Sequence, residues 1–204
     1  MLSRVFTVTA PAANQDLTTL AIAKDHLGIT GSDSDVKIAR WIVSASDAIA
    51  RACLRVFASE TISETLFLDQ SLESIVLRRY PVTSIATVTL DGTVLDPAEY
   101  IVDPETGILI YLISGEKAKW VGSKVGITYV AGYNLTTLTP PSLSQACLAL
   151  VAHQNSSEGR DPMAKRVEIP DVMTVDYWVG GSGAAGELPP EVVSLVQPYR
   201  KWAV

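Results

Sequence analysis

Residues able to do chemistry are few in this chain, and their spacing argues against a compact catalytic motif. Gly181-Ser182-Gly183-Ala184-Ala185-Gly186 formally matches the glycine fingerprint that cradles a dinucleotide pyrophosphate. That motif works only when a helix follows the glycines and a second parallel strand and an acidic residue lie further on. Too few residues follow Gly186 for such a unit, so the segment is expected to act as a flexible hinge. Ser182 has Ala184 where a nucleophile elbow needs a second glycine. The two histidines, His26 and His153, lie far apart in sequence, and no pair has the spacing of a zinc protease. Each reads as a partly buried or capping imidazole. Cys53 and Cys147 sit in apolar helical contexts as free thiols, too few for a cysteine zinc site or a disulfide framework. Asp33 and Asp35 read as helix-capping groups, and Asp69, Glu73, Asp96 and Glu99 as solvated strand ends. The reading is therefore non-enzymatic, with no catalytic residue, no metal and no cofactor. A small hydrolase or nucleotide-binding enzyme is the weaker alternative.

Composition supports a folded structural protein. The 204 residues are 48% hydrophobic and 19% charged, enough apolar content for a real core. The net charge of −6 disfavours tight binding to a nucleic-acid backbone, which depends on basic side chains displacing counterions. Apolar runs fall short of the roughly 20 residues needed to cross a bilayer, and Met1 to Gln15 lacks the apolar core of a secretory signal. A soluble, unexported chain with no membrane partner is expected. The sequons at Asn134 and Asn155 then carry no weight.

The elements that must position any functional residue run helices, strands, helices. A short helix is predicted over Thr19 to Leu27, stopped by Gly28 and Gly31. A second opens at Ser32-Asp33-Ser34-Asp35, whose side-chain oxygens can cap its first turn. In it Ile38, Ile42, Ala45, Ile49, Cys53 and Val56 recur at helical spacing, with Lys37, Arg40, Ser44, Asp47, Arg51 and Arg55 opposite. Six short runs rich in β-branched residues follow between Thr61 and Val130, among them Ile85 to Leu90 and Ile108 to Ile113. Asp91-Gly92 marks a tight hairpin and residues 103–107 a longer one. Pro140-Pro141-Ser142 starts a third helix, enclosed on most sides because Leu148 to Ala152 carries no polar residue. A strand over Met173 to Val179 and a last helix from Pro189 to about Val196, ended by Pro198, complete the pattern.

The expected fold class is α+β: a mainly helical bundle core with an inserted antiparallel β-subdomain and a C-terminal helix and tail. Residues 1–59 and 134–204 would form the helical core and its arm, and 60–133 the insertion.

This arrangement resembles the head-to-tail connector, or adaptor, proteins of long-tailed bacteriophages and of gene transfer agents. The resemblance is carried by Leu20 through Leu27 and Asp35 through Val56, by Ile127-Thr128-Tyr129-Val130-Ala131-Gly132-Tyr133 before Pro140-Pro141, and by Leu188-Pro189-Pro190-Glu191 through Pro198-Tyr199-Arg200. It departs from many members in its long β-insertion and in Gly159 before Arg160. The resemblance implies a homo-oligomeric ring, usually of 12 copies, joining the portal protein to a stopper or tail-terminator protein and leaving a channel for DNA without sequence-specific contacts. It implies a place in the virion or particle neck, with assembly in the host cytoplasm. It assigns Leu195, Pro198, Tyr199, Arg200, Lys201 and Trp202 to the portal interface. Arg40, Arg51 and Arg55 are candidates for contacts between subunits, and acidic residues are expected to dominate the channel wall so that phosphates slide past. A stopper or tail-completion protein is the alternative within the same particles.

Overall fold

The computed structural model describes residues 3–158, 166–169, 173–176 and 188–201. Its elements are β1 (Ser3–Ala10), α1 (Leu20–Leu27), α2 (Asp35–Cys53), β2 (Glu60–Phe67), β3 (Ile75–Val76), β4 (Val82–Leu90), β5 (Thr93–Val94), β6 (Tyr100–Asp103), β7 (Ile108–Ile113), β8 (Glu116–Ala118), β9 (Lys124–Ala131), α3 (Pro141–Ser157), β10 (Arg166–Ile169), β11 (Met173–Asp176) and α4 (Pro190–Val196). The chain divides into two compact units, Met1–Asn14 with Val56–Asn134 and Gln15–Arg55 with Leu135–Val204.

The expected helical-bundle core is corrected by this architecture. Two antiparallel sheets, of order β1-β2-β9-β4-β5 and β3-β7-β6 with β8 on β7, dominate the described residues, and only four helices accompany them. Helices announce themselves through a long 3.6-residue period, whereas β3, β5 and β8 span two or three residues, too few for an alternating pattern to show. Sequence weighting therefore favours helix. The strand β1 carries no prediction at all, although Arg4-Val5-Phe6-Thr7-Val8 alternates as a strand should.

In the first unit the two sheets share one core. Ile62 and Leu66 of β2, Val88 of β4 and Val125, Ile127 and Tyr129 of β9 meet Ile75, Leu77, Leu109 and Trp120. Strand alternation produces this face: along β2 every second residue from Glu60 to Leu66 is buried. Asp91 (φ 50) and Gly92 (φ 90) turn the chain between β4 and β5, as the Asp-Gly dipeptide predicts. The longer hairpin is held by Asp103, whose carboxylate accepts from the Thr106 hydroxyl at 2.6 Å and the Glu105 amide at 3.1 Å. The Thr106 contact holds that carboxyl below the usual range.

Two carboxylates lie on the buried face of β2. Glu64 is fully buried and Glu60 nearly so. Arg4 Nη1 lies 2.8 Å from Glu64 Oε1, approaching off the N–H axis as an ion pair, while the Tyr129 hydroxyl donates to Oε2 at 2.8 Å and the Arg78 amide at 3.2 Å. Arg79 Nη2 stands 3.8 Å from Glu60 Oε2, and the guanidinium groups of Arg78 and Arg79 lie over the Phe6 ring. Burial, with the Glu64 charge second, pushes the Tyr129 phenol well above its ordinary value.

In the second unit α1 begins at Thr19, whose hydroxyl accepts from the Ile22 amide at 3.4 Å, and ends at Gly28 in the left-handed conformation. Helix α2 buries Ile38, Ile42, Ala45, Ile49 and Cys53, the predicted stripe. Each buried isoleucine contributes up to about 1.5–3 kcal/mol by removal of apolar area from water. The expected side-chain cap is replaced: Ser34 makes no capping bond, and Asp35 instead pairs with Lys24 Nζ at 2.5 Å. The helix stops at Leu54 (φ 53), two residues before the predicted Val56. Helix α3 buries Leu143, Ala146, Cys147, Leu150 and Val151 and packs on α2 and α4. The Ser46 hydroxyl accepts from the Leu17 amide at 3.0 Å and lies 3.6 Å from the Cys147 sulfur, so small residues mark the α2–α3 contact. Among the described residues, strands β10 and β11 pair only with each other.

These contacts lead to three stability predictions. Gly132 has φ 113, and a Cβ there would fall inside the Ala58 carbonyl, so Gly132→Ala should cost at least about 1–3 kcal/mol in a urea titration. Arg4→Met should cost about 3–5 kcal/mol by stranding the buried Glu64 charge. Because the folded-state Tyr129 pKa is raised, its contribution is present below the unfolded value of about 10 and is lost as pH rises past it. Unfolding free energy measured from pH 8 to 11 should fall, and Tyr129→Phe should flatten that fall.

Candidate assembly interface

The residues assigned from sequence to the portal interface lie on α4 and the turn after it. Pro189 and Pro190 start the short helix, with fixed φ and no amide to satisfy in the first turn. Its inner side is set by Leu188, Val192 and Val196, all buried. A 3₁₀ turn over Gln197–Tyr199 carries Pro198, and the backbone leaves the helix there, as Pro198 predicts.

These residues divide into two groups. Tyr199 and Lys201 are tied down: the Tyr199 hydroxyl lies 2.9 Å from Ser142 Oγ at the start of α3, and the Lys201 amide donates to the Cys53 carbonyl at the end of α2 at 2.9 Å. Pro198 and Arg200 are exposed, and Leu195 is half-buried. Trp202 lies outside the described residues. So do the glycine segment 180–186 and Gly159-Arg160.

The tail also touches the chemistry of Cys53. Its thiol lies 3.8 Å from the Val196 carbonyl, and burial raises its pKa against the lowering pull of Arg55 and Arg200. Cys147 is pushed up to about 11 by burial. Both thiols are free and buried, as the sequence predicts.

On α2 the three candidate arginines differ in setting. Arg40 and Arg51 are exposed and Arg55 is half-buried. Arg51 pairs with Asp47 one turn back at 2.7 Å, both well exposed, which stabilises the helix only weakly. Lys37, placed on the same side by sequence, instead bridges to Glu158 at 2.7 Å and lies over the Trp41 ring.

The outward stripe has a feature that the charge pattern hid. Val36 (67% exposed), Val43 (57%) and Leu54 (64%) lie among Arg40, Asp47 and Arg51. Val36 and Val43 are seven apart, one heptad, with Arg40 and Asp47 repeating in the alternate register. The outward side of α2 thus mixes apolar and charged side chains. The signal is present in the sequence, but the stronger isoleucine stripe and the charges opposite it leave Val36 and Val43 unassigned there.

The carboxylates named from sequence are not gathered into a site. Asp96 caps the 3₁₀ turn that precedes β6, accepting from Ala98 while Glu99 reaches back to its amide. Glu73 faces Lys119 at 3.8 Å on the surface. Among the described residues no three His, Cys, Asp or Glu side chains converge as metal ligands, and no helix is long and apolar enough to cross a membrane. The groups that sequence reasoning missed are Glu60 and Glu64, legible in retrospect as inward positions of an alternating strand.

Comparison with known proteins gives a consistent identification. A family model described as head completion protein matches residues 16–202. Among solved structures, the fold is similar to a chain in the neck of a native GTA particle computed with C12 symmetry, at 20% identity and TM-score 0.58, covering 98% of this chain and 97% of that one. It is also similar to a chain in the neck of an empty GTA particle computed with C6 symmetry, at 22% identity and TM-score 0.56, covering 100% and 97%. A chain in the virion of a native gene transfer agent particle matches at 18% identity and TM-score 0.56, covering 98% and 96%. No curated protein matches the sequence. At these identities the structural likeness concerns the fold, and it is the family model, spanning nearly the whole sequence, that shows the chain belongs to the head completion protein family.

Proposed function

We propose that the chain is a non-enzymatic structural adaptor of a phage-like neck, forming a ring that joins the portal to the next neck protein and leaves a passage for DNA. The observation that carries this reading is the family match over residues 16–202, which takes in both helices of the amino-terminal part, every strand from β2 onward and the carboxy-terminal arm. The fold's likeness to chains from particle necks computed with twelvefold and sixfold symmetry supports a ring, and twelve copies is the stoichiometry proposed.

Within that reading, Pro198 and Arg200, together with Leu195 and the arm that continues to Trp202, meet the portal. Tyr199 and Lys201 hold the base of the arm on α2 and α3. The α2 stripe of Val36, Arg40, Val43, Asp47 and Arg51 lies between neighbouring subunits, with Arg55 at its end. Head-to-tail contacts close a ring when two different surfaces meet, and a helix stripe that mixes apolar and charged groups gives one of them both grip and orientation. The net charge of −6 suits a channel wall that repels phosphates.

Electron microscopy of the purified chain mixed with its portal protein tests the reading: portal rings decorated by a second ring are expected, and portals left bare would overturn it. Arg200→Glu should lower portal affinity by about tenfold or more, equivalent to 1.4 kcal/mol, in a binding titration, with thermal unfolding unchanged. Val43→Glu should prevent ring closure while leaving the monomer's circular dichroism intact, because it places a charge in the apolar part of the exposed stripe.

A further inference from the structure

A strand at a sheet edge presents unpaired N–H and C=O groups, and proteins normally blunt it with bulges, charges, proline or short length. The two edges of the five-stranded sheet differ in this respect. On the β4 side the register shifts between Val82 and Ser84 and again between Ile85 and Thr87. The Val82 amide donates to the Pro104 carbonyl at 2.7 Å, the Leu95 amide to the Val88 carbonyl at 2.9 Å, and β5 covers Thr89 and Leu90. That edge is protected.

Strand β1 is not. It pairs with β2 in unbroken register from Ser3 to Val8, with a single shift between Val8 and Ala10, and contains no proline. Its one charged residue, Arg4, is occupied by Glu64 and by the Val76 carbonyl at 3.0 Å and so does not guard the edge. Among the described residues no strand pairs with its other side. The edges of the smaller sheet are short: β3 has two residues, β8 three and β6 four, against eight in β1.

The same chain carries a strand pair with the opposite deficit. Strands β10 and β11 form a two-stranded ribbon, Arg166 opposite Asp176 through Ile169 opposite Met173, and among the described residues no further strand pairs with either. A two-stranded ribbon alone is marginal in water and gains stability from a third strand. Each element lacks what the other supplies.

We propose that the β10–β11 ribbon of one copy of this chain adds to the free edge of β1 of the next copy, continuing the five-stranded sheet across the subunit boundary. The proposal rests on the ring reading above. Because β1 meets a different strand, the contact is heterologous and repeats with the same rotation around a ring, whereas β1 pairing with β1 would stop at a two-fold dimer. Main-chain hydrogen bonds carry the attachment, as in strand addition generally.

Cysteine pairing in rings assembled on the portal tests it. Copies carrying Thr7→Cys, on the exposed face of β1, are mixed with copies carrying a single cysteine in turn at residues 166–169 and 173–176. The native Cys53 and Cys147 are buried and stay out of the exchange. At least one mixed pair should cross-link about 100-fold or more faster in rings than in dilute monomer, since assembly replaces micromolar by millimolar effective concentration. Backbone amides of β1 should also exchange more slowly with deuterium in rings than in monomer. Rings whose β1 amides exchange at the monomer rate, or whose cross-links join only two Thr7→Cys copies, overturn the strand addition and leave the neck reading intact. A chain that forms no ring on the portal overturns both.

Discussion

Placing the Glu64 carboxylate in the interior of the two-sheet unit removes it from water, at a cost of several kcal/mol unless other groups replace the lost hydration. The replacements come from three separate stretches of chain: the Arg4 guanidinium on β1, the Tyr129 hydroxyl on β9 and the Arg78 amide beyond β3. Each can reach Glu64 in one register only. A slip of β2 by one residue would turn Glu64 outward and bring Ser63 and Thr65 into the core. The cluster therefore fixes β1 on β2, β2 on β9, and the connection from β3 to β4 in a single arrangement. Its value lies in choosing that arrangement, since an apolar side chain of similar size could match it in stability alone.

What the sequence made legible, and what it hid, follows from how local each signal is. Helix α2 was readable because Ile38, Ile42, Ala45, Ile49 and Cys53 repeat within the helix itself, and the Asp91-Gly92 turn because two adjacent residues determine it. The dominance of sheet was hidden because β2 and β9 lie some sixty residues apart yet share an eight-residue ladder, and the two residues of β3 acquire strand geometry only from the distant β7. The burial of Glu60 and Glu64 was hidden for the same reason: their compensating groups are remote in sequence. The arm was half legible. Proline placement marked α4 and its end, but nothing local to Tyr199 or Lys201 shows that Ser142 and the Cys53 carbonyl receive them.

An assembly protein must keep its contact surfaces available while remaining folded before its partners arrive. The helical unit meets this demand by separating roles along short segments. In α2, the isoleucines serve the core while Val36, Arg40 and Val43 face out. In the arm, Val192, Val196 and the Tyr199 hydroxyl anchor the segment while Pro198 and Arg200 remain exposed. The anchoring matters energetically: a segment already ordered at its base loses less conformational freedom on docking than one that must fold at the interface.

The two units thus present different kinds of surface. On the proposed ring reading the α2 stripe offers side chains, whose apolar and charged groups would choose a partner, whereas the β1 edge offers backbone, which would accept an extended strand of suitable twist. A contact made by backbone alone is strong but undiscriminating, and an undefended edge invites unwanted pairing before assembly. Selectivity must then come from the side-chain surfaces that bring two copies together in the right orientation. On the proposed ring reading, the helix contact would come before strand addition, because side chains discriminate between partners and backbone does not.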